Sequence, residues 1–306
     1  MSKTAKYSFL LLLTAAIWGF AFVAQYSGGD AVGPFSFNCI RSLIGSLVLV
    51  PVIKLLDHLG YGKKPKDKNE NKKLWFYGGL IGIVLFIATN SQQLGISYGR
   101  NAGKAGFLTA CYLILVPVIG LFLGKKPGLH IWLAVLLAMS GIYLLSVTER
   151  SGIEWPDLLI LASALAFAVQ IILIDRFVAD VDGVRMAAVQ FLVCGILSGV
   201  PMLILETDKW AGDAGRLSAF ASPQAILSIL YAGVFSCGVA YTLQIVGQKN
   251  VPPTLASLMM SFESVFCVLG GWLLLNENLS IRQLIGCGIV FAAILLAQFG
   301  EVIKKK

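Results

Sequence analysis

The sequence has little charge. Only 13% of its 306 residues are Asp, Glu, Lys or Arg, and 57% are apolar, whereas soluble domains have about 25% charged and about 45–50% apolar residues. Apolar runs of about 20 residues recur from the first span to the last, and a soluble fold of this size does not bury so many of them. No strand-like alternation over about ten residues occurs. The composition therefore predicts an all-α integral membrane protein.

The chain also lacks the residues of several chemistries. It has only two histidines, both in or beside loops, and six cysteines without a CxxC pair, so we expect no metal site. No GxxxxGK[ST] motif occurs, which disfavours ATP hydrolysis. The loops are mostly about 4–15 residues long, too short for a soluble catalytic or nucleic-acid-binding domain. We therefore expect no enzyme, no cofactor and no nucleic-acid partner.

Ten apolar segments are long enough to cross a bilayer as helices. Their approximate limits are 7–26, 34–57, 74–98, 104–124, 129–148, 156–175, 183–205, 223–247, 254–275 and 280–300. With the N-terminus inside, 17 Lys and Arg residues lie on the inner side and 6 on the outer side, and one more lies within a span. The positive-inside rule then places both termini in the cytoplasm. We expect the chain to lie in the plasma membrane.

The two halves of the chain, 1–150 and 151–306, resemble each other. The segment 107–118 aligns with 254–265, and Gln93 aligns with Gln244. Five spans per half is an odd number, so two copies must cross the membrane in opposite directions. We therefore expect two inverted five-helix repeats around a central cavity. In transporters this arrangement places the substrate site near the midplane and permits alternating access.

Polar and aromatic residues inside the spans are the candidates for substrate binding. They are Trp18, Asn90, Gln93, Tyr112, Gln170, Tyr241 and Gln244. Asn90 shares a helical face with Gln93, and Tyr241 with Gln244, because each pair is three residues apart. An unpaired amide in hydrocarbon costs several kcal/mol. We expect these side chains to line the cavity, and hydrogen bonding between helices is the alternative.

Two charged residues lie within the spans. Glu263 is expected near the midplane, where a charge costs at least ~2.5–3.5 kcal/mol. Because a carboxyl group away from water favours its neutral form, Glu263 is a candidate for proton coupling; a structural hydrogen bond from the neutral acid is the alternative. Arg41 lies nearer the outer end of its span. We expect it to reach toward the outer interface or pair with an acid as a structural charge, rather than to bind an anionic substrate.

Several short segments carry a further signal. They are AAIWGFAF at 15–22, FNCIR at 37–41, KAGFLT at 104–109, VPV at 116–118, ASL at 256–258, FESVF at 262–266 and LNE at 275–277. Together they resemble the drug/metabolite transporter superfamily, in particular its ten-helix EamA-type members, over nearly the whole chain. That family usually has proline where this chain has Ser264 and glycine where it has Asn276. The resemblance implies a basket of ten helices and the transport, often export, of metabolites or drugs.

The sequence thus predicts a secondary transporter in a bacterial plasma membrane. We expect it to export a small amphipathic or zwitterionic organic metabolite or drug by alternating access, with protons as a candidate coupling ion, and to be a monomer or a homodimer. The alternative on the same scaffold is a flippase for a lipid-linked substrate, which needs a lateral opening with basic residues. A receptor or scaffold that transports nothing is a further alternative, and such a protein needs neither a polar cavity nor a repeat.

Overall fold

The computed structural model describes residues 3–60, 62–99, 102–146, 153–207, 222–275 and 280–304, and all regular structure in these residues is helical. The helices are α1 Lys3–Val32, α2 Pro34–His58, α3 Lys68–Gly99, α4 Ala102–Thr109, α5 Tyr112–Phe122, α6 Leu129–Ser146, α7 Trp155–Phe177, α8 Gly183–Leu205, α9 Pro223–Leu230, α10 Tyr241–Gln248, α11 Pro253–Met260, α12 Glu263–Leu275 and α13 Ile281–Lys304. A π-helical segment, Tyr231–Ala240, joins α9 to α10.

The outer surface of this bundle is apolar. Large side chains such as Leu47, Phe122 and Leu136 are well exposed, and soluble proteins rarely expose so much apolar surface. Eight helical spans in the described residues are long and apolar enough to cross a membrane, and two shorter apolar helices accompany them, Leu129–Leu145 and Ile281–Ala297. The prediction of an all-α, multi-pass membrane protein is confirmed at this level, with about eight to ten spans.

Two of the spans are broken in the same way. An eight-residue helix, a two-residue break and a longer helix make up both α4–α5, broken at 110–111, and α11–α12, broken at 261–262. Around each break some backbone hydrogen bonds reach back three residues instead of four, which tightens the chain locally. Tyr112 and Glu263 are the first residues after the two breaks. Their sequence positions are 151 residues apart. The alignment of 107–118 with 254–265 pairs residues whose separation is smaller by about one helical turn.

The π-helical segment is the second departure from regular helix. The sequence predicts one regular span over 223–247, but Tyr231–Ala240 has the wider π-helical turn. π-Helices are rare and occur mostly as short insertions at functional sites. The segment packs against α2, and its residue Ser236 lies at the centre of the bundle.

Helices α2 and α8 are joined at both ends by acidic side chains. Glu206, directly after α8, accepts hydrogen bonds from the backbone N–H groups of Phe35 (2.9 Å) and Ser36 (2.7 Å) in the first turn of α2. At the other end, Asp57 accepts two bonds from Nη2 of Arg185 (2.6 and 2.7 Å) in the first turn of α8. A negative charge at a helix N-terminus is stabilising, as Glu206 is for α2, and the Asp57–Arg185 ion pair links the other ends of the two helices. The two contacts hold α2 and α8 in one register.

Helices α6 and α13 approach each other closely at a pair of glycines. A Cβ atom on Gly286 would lie 2.7 Å from the carbonyl oxygen of Gly141, and one on Gly141 would lie 2.9 Å from that of Gly286. Small residues at such positions let helix backbones pack in membranes. Gly288, two residues further along α13, has nothing within 4 Å of a built Cβ atom.

We expect Gly286→Ala to lower the melting temperature of the purified protein, because overpacking a close contact costs about 1–3 kcal/mol. Gly288→Ala is the matched control. It should leave the melting temperature unchanged or raise it, since alanine is favoured over glycine in a helix by about 0.5–1 kcal/mol. Equal melting temperatures for the two variants would contradict the close packing of α6 against α13.

Candidate functional site

A cavity lies in the middle of the bundle. Side chains from α1, α2, α3 and α7, from the π-helical segment and α10, and from both broken spans line it. Its volume is about 40 Å³. For comparison, a cavity of about 10–15 Å³ holds one water molecule. In this conformation it admits a few waters or one small polar group. A larger solute requires the lining side chains to move apart.

Most of the residues singled out from the sequence meet at this cavity. The lining includes Trp18, Arg41, Tyr112, Gln170, Tyr241, Gln244 and Glu263. Three of them come from the first half of the chain and four from the second. The structure therefore brings seven of the nine candidates together. A role for them in binding stays a prediction.

Asn90 and Gln93 lie outside the lining. Asn90 donates from Nδ2 to Ser198 Oγ (2.8 Å) and accepts at Oδ1 from Asn38 Nδ2 (3.1 Å). Gln93 donates from Nε2 to the backbone carbonyl oxygen of Gln25 (3.0 Å). Both residues therefore connect helices, which was the alternative for them. Their spacing of three residues indicates a shared face, but it does not determine which neighbour that face meets.

The neighbouring Gln92, which was not among the candidates, does reach the cavity. Its Nε2 donates to Thr109 Oγ1 at 3.2 Å, and both side chains are part of the lining. Gln25 and Ser236 also line the cavity and were not among the candidates. The run of polar residues from Asn90 to Gln93 within an apolar span signals Gln92, because an unpaired amide in hydrocarbon is costly. Ser236 stands alone among apolar neighbours and Gln25 lies near the end of the predicted span 7–26, so neither carries such a signal.

Within the described residues, several buried polar atoms at the cavity have no hydrogen-bond partner. The donors are Trp18 Nε1, Arg41 Nε and Gln170 Nε2, and the acceptors are Gln25 Oε1 and Gln244 Oε1. Each buried atom left unpaired costs about 1–3 kcal/mol, and protein interiors normally pair such atoms. All five atoms belong to side chains that line the cavity, which makes it the candidate site for a polar ligand.

Arg41 lies inside the bundle. Its side chain is only 4% exposed, and its Cζ atom is 5.3 Å from the centre of the Phe37 ring. The ion pairs of the described residues do not include it. Arg41 therefore does not reach the outer interface, and within the described residues it pairs with no acid. Its role as a structural charge stays a prediction. Burial among helices prevents the long side chain from extending to water.

Glu263 and Tyr112 meet at the centre. Tyr112 donates from its hydroxyl group to Oε1 of Glu263 at 3.3 Å, and both side chains are buried. The contact joins the two broken spans just after their breaks. It leaves a carboxyl group in the cavity wall with a single protein donor in the described residues.

One wall of the cavity is aromatic. The rings of Trp18 and Tyr241 are in edge contact, with centroids 4.6 Å apart, and Tyr241 makes a second edge contact with Phe191 at 5.0 Å. Edge-to-face pairs of this kind fix ring orientation. Phe167 also lines the cavity, on the same helical face of α7 as Gln170. The lining therefore combines aromatic and amide side chains.

A second, open pocket lies at the end of the bundle where α5 and α7 end. Its volume is about 530 Å³, and its lining includes Lys125, Asp175 and Gln248. Lys125 and Asp175 form an ion pair between α5 and α7 within the region that this pocket exposes. This end is termed the basic end below, and its open pocket the basic-end pocket.

One helical turn separates the basic-end pocket from the central cavity. Gln244 lines the cavity and Gln248 the pocket, and four residues correspond to about 6 Å along a helix. Gln244 donates from Nε2 to Gln170 Oε1 (3.2 Å), and Gln248 donates from Nε2 to the carbonyl oxygen of Ile171 (3.1 Å). These two bonds join α10 to α7 between the cavity and the basic-end pocket.

Comparisons with known proteins address the family and the fold. A model of the EamA-like transporter family matches residues 5–147 and again residues 154–299. An uncharacterized transporter of Archaeoglobus fulgidus is 30% identical over 290 residues, which cover 94% of this chain and 83% of the relative. The threonine/homoserine exporter RhtA of Escherichia coli is 24% identical over 93% of this chain and 88% of its own length. One solved crystal structure shares the fold, with a TM-score of 0.73 at 19% identity, over 98% of this chain and 97% of that one.

Proposed function

Because the chain belongs to the EamA-like transporter family, we propose that it is a secondary transporter that carries a small zwitterionic or amphipathic organic molecule through its central cavity. The observation that carries this proposal is the group of unpartnered donors and acceptors around the cavity. In a bundle surrounded by lipid, a cargo with both kinds of group satisfies atoms that the protein itself leaves unpaired.

The two matches to the family model support a repeat of two halves, 1–150 and 151–306. The shared layout of the two broken spans supports it as well. We propose ten spans in all, five per half, with the halves inverted and both termini in the cytoplasm. Inverted repeats in transporters rock against each other around a fixed midplane site, which exposes that site to each side in turn.

The path toward the basic end follows from the two cavities. We infer that the Gln170–Gln244 bond and the ion pair between Lys125 and Asp175 close the cavity toward the basic end in the conformation described. Each contact joins α7 to a neighbour, the first to α10 and the second to the turn after α5. Their opening would connect the cavity with the basic-end pocket, since only one helical turn lies between them.

The cargo class is supported by the site and by one relative. The relative RhtA is a threonine/homoserine exporter, and both of these cargoes are small zwitterions with a hydroxyl group. The amides and the aromatic wall of the cavity suit such molecules. The lipid-linked alternative finds no support here, because Arg41 is the one basic residue among the described lining residues. A phosphate-bearing carrier needs several.

The test is flux across a membrane. Purified protein in liposomes should exchange at least one member of a panel of labelled amino acids, beginning with L-threonine and L-homoserine, faster than protein-free liposomes do. A thermal-shift screen of the same panel identifies the cargo first, because a ligand selective for the folded state stabilises it. Exchange at the protein-free rate for every member of the panel would contradict the proposed function.

A pair of glutamines provides a matched variant for that assay. Gln170 is buried and lines the cavity, whereas Gln224 is exposed at the start of α9. We expect Gln170→Ala to lower exchange of the identified cargo by about tenfold or more, which corresponds to about 1.4 kcal/mol of lost interaction. Gln224→Ala should exchange at the unmodified rate. Equal rates for both variants would remove Gln170 from the site, provided that both melt cooperatively.

A further inference from the structure

We propose that Arg41 is the receptor for a carboxylate group of the cargo. This inference rests on the proposed function and deepens it, because it names the chemical group that the cavity recognises and the residue that recognises it.

The first step is the charge of Arg41. A guanidinium group is never deprotonated in proteins, so Arg41 is a cation wherever it lies. Here it is 4% exposed and lines the central cavity. Its Nε has no hydrogen-bond partner in the described residues. Buried charges are normally paired, and the ion pairs of the described residues do not include Arg41.

The second step concerns two buried acids, Glu206 and Glu263, whose hydrogen bonds in the described residues come from groups other than Arg41. Glu206 accepts from Phe35 N, Ser36 N and Ser36 Oγ at the start of α2. Glu263 lies in the same cavity as Arg41, but its hydrogen bond comes from Tyr112. The Phe37 ring contacts Arg41 without neutralising it. The charge of Arg41 therefore calls for an anion from outside the described chain.

The third step is the chemistry of that anion. The guanidinium fork matches the planar geometry of a carboxylate, which it binds through two parallel hydrogen bonds. One carboxylate neutralises one arginine, whereas a phosphate monoester carries about −1.5 to −2 charge and would leave an excess. The cavity of about 40 Å³ also admits only a small group. A carboxylate fits both the charge and the space.

A melting experiment on the substrate-free protein tests this without any cargo. A residue that holds the bundle together should lower the melting temperature when it is replaced. We expect Arg41→Gln to raise it by about 2 °C or more, because an unpaired buried charge is removed. Arg41→Lys keeps the charge and should melt close to the original protein. A fall of several degrees in Arg41→Gln, or failure of both variants to fold, would overturn the proposal and make Arg41 structural.

Binding probes test the carboxylate itself. Sodium acetate should raise the melting temperature of the original protein more than sodium chloride at equal ionic strength, and this difference should vanish in Arg41→Gln. Equal effects of the two salts would overturn the assignment to carboxylate. In liposomes, L-threonine should compete with the identified cargo about tenfold better than L-threoninol, which lacks the carboxylate, and Arg41→Lys should reduce this preference. Equal competition by both would overturn the assignment while leaving the transport function intact.

Absence of any exchange has a different meaning. If no labelled compound crosses the membrane faster than in protein-free liposomes, the proposed function fails. The melting and acetate results still decide whether Arg41 binds carboxylate. The two failures are therefore distinguishable.

Discussion

Cross-linking Lys125→Cys to Asp175→Cys is expected to stop transport, lowering exchange of the cargo by about tenfold or more. Lys125 in the turn after α5 and Asp175 in α7 form an ion pair in the region that the basic-end pocket exposes. If the cavity opens toward the basic end during each cycle, α5 and α7 must separate there. A short bifunctional methanethiosulfonate reagent that joins the two thiols prevents this movement.

The six native cysteines are all free, and three of them are only half-buried, so the experiment needs a background without them. Each single-cysteine variant treated with the same reagent is the control for modification alone. Reduction of the cross-link should restore exchange, because the reagent forms disulfides. Exchange at more than half the untreated rate in the cross-linked pair would show that the basic end does not open at α5 and α7.

The second large effect is expected from Glu263→Gln, which should remove the pH dependence of transport. Glutamine keeps the size of the side chain and an oxygen that accepts the hydrogen bond from Tyr112, but it cannot ionise. The other titratable or charged residues of the described lining are Arg41, Tyr112 and Tyr241. Arginine and tyrosine ordinarily titrate at about pH 10 or above. Glu263 is therefore the candidate for any pH response near neutrality.

The measurement is exchange in liposomes at several values between about pH 5.5 and pH 8. A flux that requires one protonation state of one group changes by up to about tenfold per pH unit. We expect such a change in the original protein and less than about a twofold change in Glu263→Gln. Tyr112→Phe is the control, because it removes the hydroxyl donor but leaves the carboxyl group in place, and it should retain a pH response. The same pH profile in Glu263→Gln and the original protein would assign Glu263 to packing.

The sequence predicts the membrane class of the fold because burial in lipid requires long apolar runs, and these are visible residue by residue. It does not predict the two breaks at 110–111 and 261–262, or the π-helical segment Tyr231–Ala240. Both are small changes in backbone hydrogen bonding within apolar segments. A hydropathy profile does not distinguish these segments from regular apolar helix. Yet the breaks place Tyr112 and Glu263 in contact at the centre.

For the site, the sequence predicts which types of residue line the cavity, but it predicts less well the direction in which each side chain points. Polar and aromatic residues deep in a span are rare, so most of the candidates do line the cavity. For α3, the spacing of Asn90 and Gln93 predicts a shared face, but the neighbours of that face are α2, α8 and α1. Gln92 reaches the cavity instead. Helix rotation depends on packing against sequence-distant partners.

Arg41 shows the same limit. From the sequence, a long basic side chain some turns from the outer end of a span is expected to reach water. In the structure, α2 is held against α8 at both ends by Glu206 and Asp57. This register directs Arg41 inward, toward the cavity. The residues that make these contacts are 171 and 128 residues apart in the chain.

Exposure of the central cavity to each side of the membrane in turn is tested most directly by labelling Ser236→Cys. Ser236 lines the cavity, and its hydroxyl is replaced by a thiol of similar size in a background without native cysteines. Ser198→Cys is the matched control, since Ser198 is fully buried away from the cavity and bonded to Asn90. Membrane-impermeant methanethiosulfonate reagents should label Ser236→Cys both in right-side-out and in inside-out vesicles, and cargo should slow the labelling. Labelling from one side only, or none from either side as in the control, would contradict transport by alternating access.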